Sequence, residues 1–359
     1  MNALRGQFPV LGRLAFLNTG TNGPAPASAT AAAAAEIERQ AQEGRGADNY
    51  PHRLELQARQ REAYAARLGV SADDVALTTS TSEGIAKAVG GLGLSRGDEV
   101  VTSDEEHPGV LGPLQAARDL SGVSVREVPL ARVADAVGAS TRAVVCSHVS
   151  WVSGALAPAE LAEVEVPVVL DGAQGVGAIA VDVRALGCDV YAGSGQKWLC
   201  GPDGSGMLYV SPTMRERLAV TAPSYGSYVD AGMGLEAQLV PDSSRYDAST
   251  LAAETGAFAL AAMDTLADAG WDAVYERSSA LAAQLAASLR ERGHDVRERG
   301  PTTLVSWHCP DAAAVRDRLA ASGVVVRELP NRDLLRASVG AWNDDSDLER
   351  LLAGIDAPR

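Results

Sequence analysis

Along the first 250 residues, short apolar runs rich in β-branched side chains alternate with longer Ala- and Leu-rich stretches of helical character. Residues 75–78, 99–102, 123–128, 143–147, 167–170, 188–192 and 206–210 read as strands. Several are apolar throughout rather than alternating, as strands covered on both faces require. Between them, 27–43, 54–68, 83–92, 108–120 and 157–162 read as helices. The alternation predicts an α/β fold, a large domain with a mainly parallel seven-stranded sheet and helices around it. After about Thr250 the texture changes. Two long Ala-rich helical stretches, 251–269 and 271–292, precede a strand (303–308), a helix (312–322) and another strand (324–328). That order predicts a smaller α+β C-terminal domain. The expected division is 1–17 as an N-terminal segment packing on the small domain, 18–250 as the large domain and 251–359 as the small one.

In open α/β sheets, functional groups gather beyond the carboxyl ends of the strands. Polar residues fall there repeatedly: TTSTSEG after the first strand, DEEHPG after the second, SHVSWVSG after the fourth, DGAQ after the fifth and SGQKW after the sixth. Their shared placement points to one site.

Composition narrows what that site does. Of the 31 lysines and arginines only two are lysines, Lys87 and Lys197. A lysine amine can lose its proton when desolvated and attack a carbonyl, which arginine cannot do. Lys197, in SGQKWLCGP, is therefore the first candidate for covalent chemistry, while Lys87 reads as a solvated helix residue. The net charge of −15 argues against nucleic acid, which demands a basic face. No stretch approaches the roughly 20 apolar residues of a membrane span, and the N-terminus lacks the pattern of a signal peptide. Cys146, Cys188, Cys200 and Cys309 are scattered, with neither a disulfide framework nor metal-ligand spacing. A reduced cytoplasm and no metal are expected.

Taken alone, TTSTSEG is an ordinary Ser/Thr helix cap, although free N–H groups, hydroxyls and a helix dipole also form an anion site. No GxGxxG or Walker loop follows the first strand, which speaks against nucleotides and leaves an NAD-type oxidoreductase a poor third reading. A lone Asp171 at a strand end is usually a turn former. Together, however, a lysine able to form a Schiff base, a carboxylate able to pair with a pyridinium nitrogen and a phosphate cup define a pyridoxal 5'-phosphate site. His107, in EEHPG, reads alone as a surface loop histidine, but beside such a site it could lie flat against the cofactor ring.

The stretch DGAQGVGAIAVDVRALGCDVYAGSGQKWLCGPDGSGMLYV, residues 171–210, resembles the lysine-bearing signature of the class V aminotransferase group of fold-type-I pyridoxal-phosphate enzymes, near the cysteine desulfurases and isopenicillin-N-epimerase-like proteins. The resemblance extends over nearly the whole chain and implies a fold-type-I transferase fold. It implies that Lys197 forms the Schiff base, Asp171 pairs with the pyridine nitrogen and Gln174 reaches the ring's phenolic oxygen. Thr81, Ser82 and Ser194 would hold the phosphate, with Gln196 beside them and His107 stacked on the ring. RYDAST resembles a segment that crosses to the partner subunit, which would bring Thr250 to the partner's phosphate in a homodimer. LLRASVGAWN resembles the segment whose arginine grips the substrate α-carboxylate, here Arg336, a task suited to a bidentate guanidinium. LNTGTNGPAP resembles an N-terminal substrate loop containing Asn18 and Thr19.

Two departures stand out. The family often has His before the Schiff-base lysine; Gln196 can donate a hydrogen bond to phosphate but cannot relay a proton near neutral pH. Desulfurases also carry a nucleophilic Cys on the loop before the carboxylate arginine, and VVVRELPNRDLLRAS contains none. Trp151 sits where many relatives have Asn, and either forms a pocket wall or packs under the sheet end. His52 and Arg53 enter the site from a loop or cap the following helix, and His148 satisfies local backbone groups. The expected activity is a C–S lyase, a β-elimination on a cysteine-type amino acid without a catalytic Cys. Transamination and epimerisation are the alternatives, and a catalytically lost scaffold is the non-enzyme reading.

Overall fold

Seven strands form one sheet, ordered β2-β8-β7-β6-β5-β3-β4, in which only β8 runs against its neighbours. The structure is a computed structural model and describes residues 2–356; Met1 and residues 357–359, which the expected N-terminal segment and small domain include, lie outside the described residues. The elements are α1 (Asn2–Gly6), β1 (Ala15–Phe16), α2 (Ala27–Glu43), α3 (Asn49–Leu68), β2 (Val75–Thr78), α4 (Thr81–Gly91), β3 (Glu99–Ser103), α5 (Pro108–Ser121), β4 (Ser124–Val128), β5 (Thr141–Ser147), β6 (Val168–Asp171), β7 (Val190–Ser194) and β8 (Gly206–Val210). There follow α6 (Pro212–Arg215), α7 (Ala253–Asp268), α8 (Trp271–Glu291), β9 (Leu304–His308), α9 (Ala312–Ala321), β10 (Val324–Val325), β11 (Arg327–Leu329), β12 (Leu334–Ser338) and α10 (Asp345–Asp356).

Strands β2 and β5 to β8 are buried nearly throughout, which explains their unbroken apolar runs. Because β2 and β3 to β7 point the same way, their carboxyl ends share one edge. The polar segments noted above therefore converge. On one face α4 lies close to β7: a Cβ on Gly84 would come 2.9 Å from Ala192 Cβ, so only glycine allows this approach.

The C-terminal elements form an antiparallel sheet, β11-β12-β9, packed with α8, α9 and α10 around Trp307, Leu335 and Leu351. α7 packs instead on α2 and α3. The N-terminal segment joins the C-terminal elements: β1 pairs in parallel with β10, Arg5 bridges to Asp347 at 2.7 Å, and Phe8 packs on Trp342.

Three expectations need correction. Residues 157–162 hold only a 3-10 turn, Ala159–Glu163, which follows the extended Pro158 and ends at the extended Val164. The run 324–328 divides at Val326, its first half pairing with β1 and its second with β12, a strand the apolar pattern did not reveal. α3 begins at Asn49, so His52 and Arg53 are helical; His52 meets Glu36 at 2.9 Å, and neither lines the cavity described below. Among the described residues no helix is long and apolar enough to cross a membrane.

Candidate active site

A cavity of roughly 210 Å³ opens at the carboxyl edge of the sheet. Of the residues singled out from sequence, Thr81, Ser82, His107, Trp151, Asp171, Gln174, Ser194, Gln196, Lys197 and Arg336 line it; Gly20, Thr21, Ser80, Ala173 and Arg327 complete it. Asn18, Thr19 and Thr250 do not. Asn18 accepts a hydrogen bond from the Thr21 hydroxyl at 2.8 Å, Thr19 is fully buried behind the wall, and Thr250 is exposed.

One end of the cavity is built for an anion. Ser80 caps α4, its hydroxyl accepting from the Glu83 amide at 3.1 Å, and so aims the first turn's N–H groups and dipole at the cavity. The Thr81 and Ser194 hydroxyls are buried there with no protein partner. Buried hydroxyls without partners are costly, and a phosphate would satisfy both. The residues present therefore fit the phosphate of pyridoxal phosphate.

At the other end, Asp171 and Lys197 share the cavity. Burial drives the Asp171 carboxyl above its usual range, opposed by Lys197 and by the Ala173 amide, which donates to it at 2.9 Å. Burial pulls the Lys197 amine down to about 8; Arg336 and Arg327 push the same way and Asp171 opposes them. Gln174 is held at both ends of its amide: Nε2 donates to the Gly20 carbonyl at 2.8 Å, and Oε1 accepts from Trp198 Nε1 at 2.9 Å. One N–H remains for the cavity. Gln196 has its Oε1 buried without a partner.

His107 caps α5, its Nδ1 accepting from the Gly109 amide at 3.0 Å. Burial, with Lys197 and the two arginines adding to it, pushes the ring down to about 4, so it is neutral at pH 7. The ring meets Trp151 edge-on, with centroids 5.1 Å apart and planes at 86°. Trp151 is therefore a wall of the cavity rather than packing beneath the sheet. Arg336 is almost fully buried on β12, gives Nη1 to the Trp151 carbonyl at 2.7 Å and leaves Nε without a partner. Burial, then Arg327, lowers it to about 9.

Arg327 is the principal residue that sequence reading missed. It is the register partner of Arg336 across β11 and β12, and reaches the Thr21 hydroxyl at 3.1 Å. The signal was present in VVVRELP but meaningless until the strand pairing was known. Glu106 was missed too. It is buried behind His107, accepts from the Ser147 amide at 2.8 Å and the Ser147 hydroxyl at 2.6 Å, and is raised to about 7, chiefly by burial. Two histidine and lysine readings change. Lys87 is buried, donating to the Tyr246 carbonyl at 2.7 Å and pairing with Glu83 at 2.9 Å. His148 pairs with the Tyr191 hydroxyl at 3.0 Å rather than with backbone. None of the four cysteines lines the cavity, and burial pushes the thiols of Cys146, Cys188 and Cys200 up. No cluster of ligating side chains suited to a metal occurs among the described residues.

The family model of aminotransferase class-V matches residues 21–351. The chain belongs to this family. It is a pyridoxal-phosphate-dependent enzyme. A probable cysteine desulfurase of Methanothermobacter thermautotrophicus is 33% identical over 201 residues, 52% of this chain and 50% of the relative, so the match spans about half of that protein's length. One from Pseudomonas aeruginosa is 31% identical over 331 residues, 83% of this chain and 81% of its own. Among solved structures, the cystine C–S lyase C-DES in complex with its reaction product cysteine persulfide superposes with a TM-score of 0.92 at 25% identity, covering 98% of this chain and 100% of the other. In another of its structures C-DES carries glycine covalently linked to pyridoxal phosphate.

Proposed function

We propose that this protein is a pyridoxal-phosphate-dependent C–S lyase that performs β-elimination on a cysteine-type amino acid without a cysteine nucleophile. The carrying observation is the company Lys197 keeps: Asp171 and Arg336 share its cavity, and no cysteine lines it. When bound, pyridoxal phosphate supplies the electron sink that lets an amino acid lose its Cα proton.

The protein's own groups divide the remaining work. Thr81, Ser82 and Ser194, with Gln196 beside them, would hold the phosphate, and Asp171 would pair with the pyridine nitrogen. His107 would cover the ring, and the spare N–H of Gln174 would serve the phenolic oxygen. Lys197 would hold the aldehyde of the cofactor, and its amine, lowered to about 8 by burial, would be the base for the substrate's Cα proton. Arg336 fixes the α-carboxylate through the guanidinium edge that lacks a protein partner. Arg327 offers a second cation beside it, which suits a substrate with a distal carboxylate such as cystine, the substrate class named for C-DES. Trp151 bounds the side-chain space.

We infer a cytoplasmic homodimer in which Thr250 of one subunit serves the partner's phosphate. Thr250 is exposed, and Tyr225, Val229, Met233 and Leu235 place an apolar stretch on the surface. The deciding experiment incubates the holoenzyme with L-cystine, L-cysteine and S-substituted cysteines. Pyruvate and ammonia should appear with the cofactor spectrum restored, and Lys197→Ala should abolish turnover. Conversion to the amine form of the cofactor, reversed by a keto acid, would make it an aminotransferase and overturn this reading.

A further inference from the structure

The consecutive residues Glu105, Glu106 and His107 follow β3, and Trp151 follows the neighbouring strand β5. Glu105 spans the gap. Its Oε2 accepts from the Ser153 hydroxyl at 2.5 Å and from the Ser150 hydroxyl. Those two serines flank Trp151, and their oxygens are already committed as acceptors. Ser150 Oγ takes the amides of Val152 and Ser153 at 3.1 and 3.0 Å, and Ser153 Oγ takes that of Ala155 at 3.1 Å. Each hydroxyl therefore directs its proton to Glu105, and the turn bearing Trp151 is wound around one carboxylate oxygen. The other oxygen lies 3.7 Å from Arg297, a half-exposed partner whose contribution is small.

Trp151 transmits that anchor into the cavity twice. Its carbonyl takes Nη1 of Arg336, and its indole meets the edge of the His107 ring. We propose that Glu105 is a positioning residue that sets the Trp151 wall, and with it the aperture over the substrate side chain and the pose of Arg336. The inference rests on the reading of this cavity as an amino-acid site. Loss of the acceptor leaves two inward hydroxyl donors unsatisfied, and the turn must rearrange to hydrate them. The hydroxyls of Thr81 and Ser194 and the carboxylate of Asp171 make no hydrogen bond to this turn.

The test uses the holoenzyme with Glu105→Ala, Glu105→Gln and Trp151→Phe. Glutamine keeps an acceptor oxygen with two lone pairs and so should restore the wild-type values to within about twofold. Alanine should raise KM for the amino acid about tenfold, an effect of the size of one or two lost hydrogen bonds, while the visible band of the bound cofactor and kcat stay near wild type. A second reading needs no turnover. The near-ultraviolet circular dichroism that Trp151→Phe removes should also be missing from Glu105→Ala and present in Glu105→Gln. If Glu105→Ala does not fold, Ser153→Ala removes one of the two donors and is scored in the same way. An unchanged KM and Trp151 signal in a folded Glu105→Ala overturn the proposal, as does a glutamine variant as impaired as the alanine one. If the wild type turns over no amino acid, the proposed function fails, and the circular dichroism alone decides the role of Glu105.

Discussion

Lys197 has the properties the proposed chemistry demands because of where it is buried. An ammonium has no lone pair, so an amine at the ordinary value of 10.5 is almost wholly protonated at neutral pH; burial brings this one to about 8. The depressed value means that the neutral, nucleophilic form takes over as pH rises through 8 rather than through 10.5. Capture of pyridoxal phosphate by the apoprotein, followed by its absorbance, should therefore accelerate with a midpoint near pH 8. A midpoint near 10.5 would refute the burial account. The same shift has a stability consequence of defined sign. Between about 8 and 10.5 the unfolded chain binds this proton more than the folded one does, so Lys197 makes stability rise with pH across that window. The sequence narrowed the candidate lysine to two residues, and the structure puts Lys197 in the cavity. That its rival Lys87 is buried too was not legible, since its helix position is amphipathic and the group that meets it, the Tyr246 carbonyl, is 159 residues away.

At the level of elements, helix α4 carries the proposed phosphate end of the site, and its seat on the sheet depends on Gly84. A side chain there would meet Ala192 and Leu208, and overpacking of this kind costs on the order of 1–3 kcal/mol. Gly84→Val should lower the melting temperature and, by displacing Thr81 and the N-terminal amides, weaken pyridoxal phosphate binding about tenfold in an equilibrium titration. A destabilised variant with unaltered cofactor affinity would show that the seat of α4 does not set the cradle. The strands 75–78 and 206–210 and the helix 27–43 coincide with the sequence expectation at both ends. Their burial patterns are local in origin, a doubly covered strand or an Ala-rich helix opened by Pro26 and closed by Gly44. Strand β12 escaped because LLRAS places a buried arginine inside an apolar run, which reads as polar until Arg336 is seen facing a cavity.

Across the whole molecule, the site is assembled from parts far apart in sequence. The segments at the edge of the seven-stranded sheet supply Lys197, Asp171, Thr81 and Ser194, whereas β11 and β12 deliver Arg327 and Arg336. The proposed dimer belongs to this scale. Sedimentation equilibrium should give twice the chain mass, and charged substitutions at Val229 and Leu235 should shift the protein toward the monomer with loss of activity. A wild-type monomer with full activity would refute both the dimer and the role assigned to Thr250.

The sequence alone determined which chemistry was available and which edge of the sheet would hold it. Apolar runs define parallel strands, and the polar residues just past their ends must then emerge together. The tertiary structure decided what no local pattern encodes. Strand pairing set Arg327 beside Arg336, and two loops turned Trp151 into the cavity under the hold of Glu105. Burial neutralised His107, lowered the amine of Lys197 and stranded the hydroxyls of Thr81 and Ser194. Each of these outcomes depends on desolvation or on contacts between distant segments, and neither exists until the chain has folded.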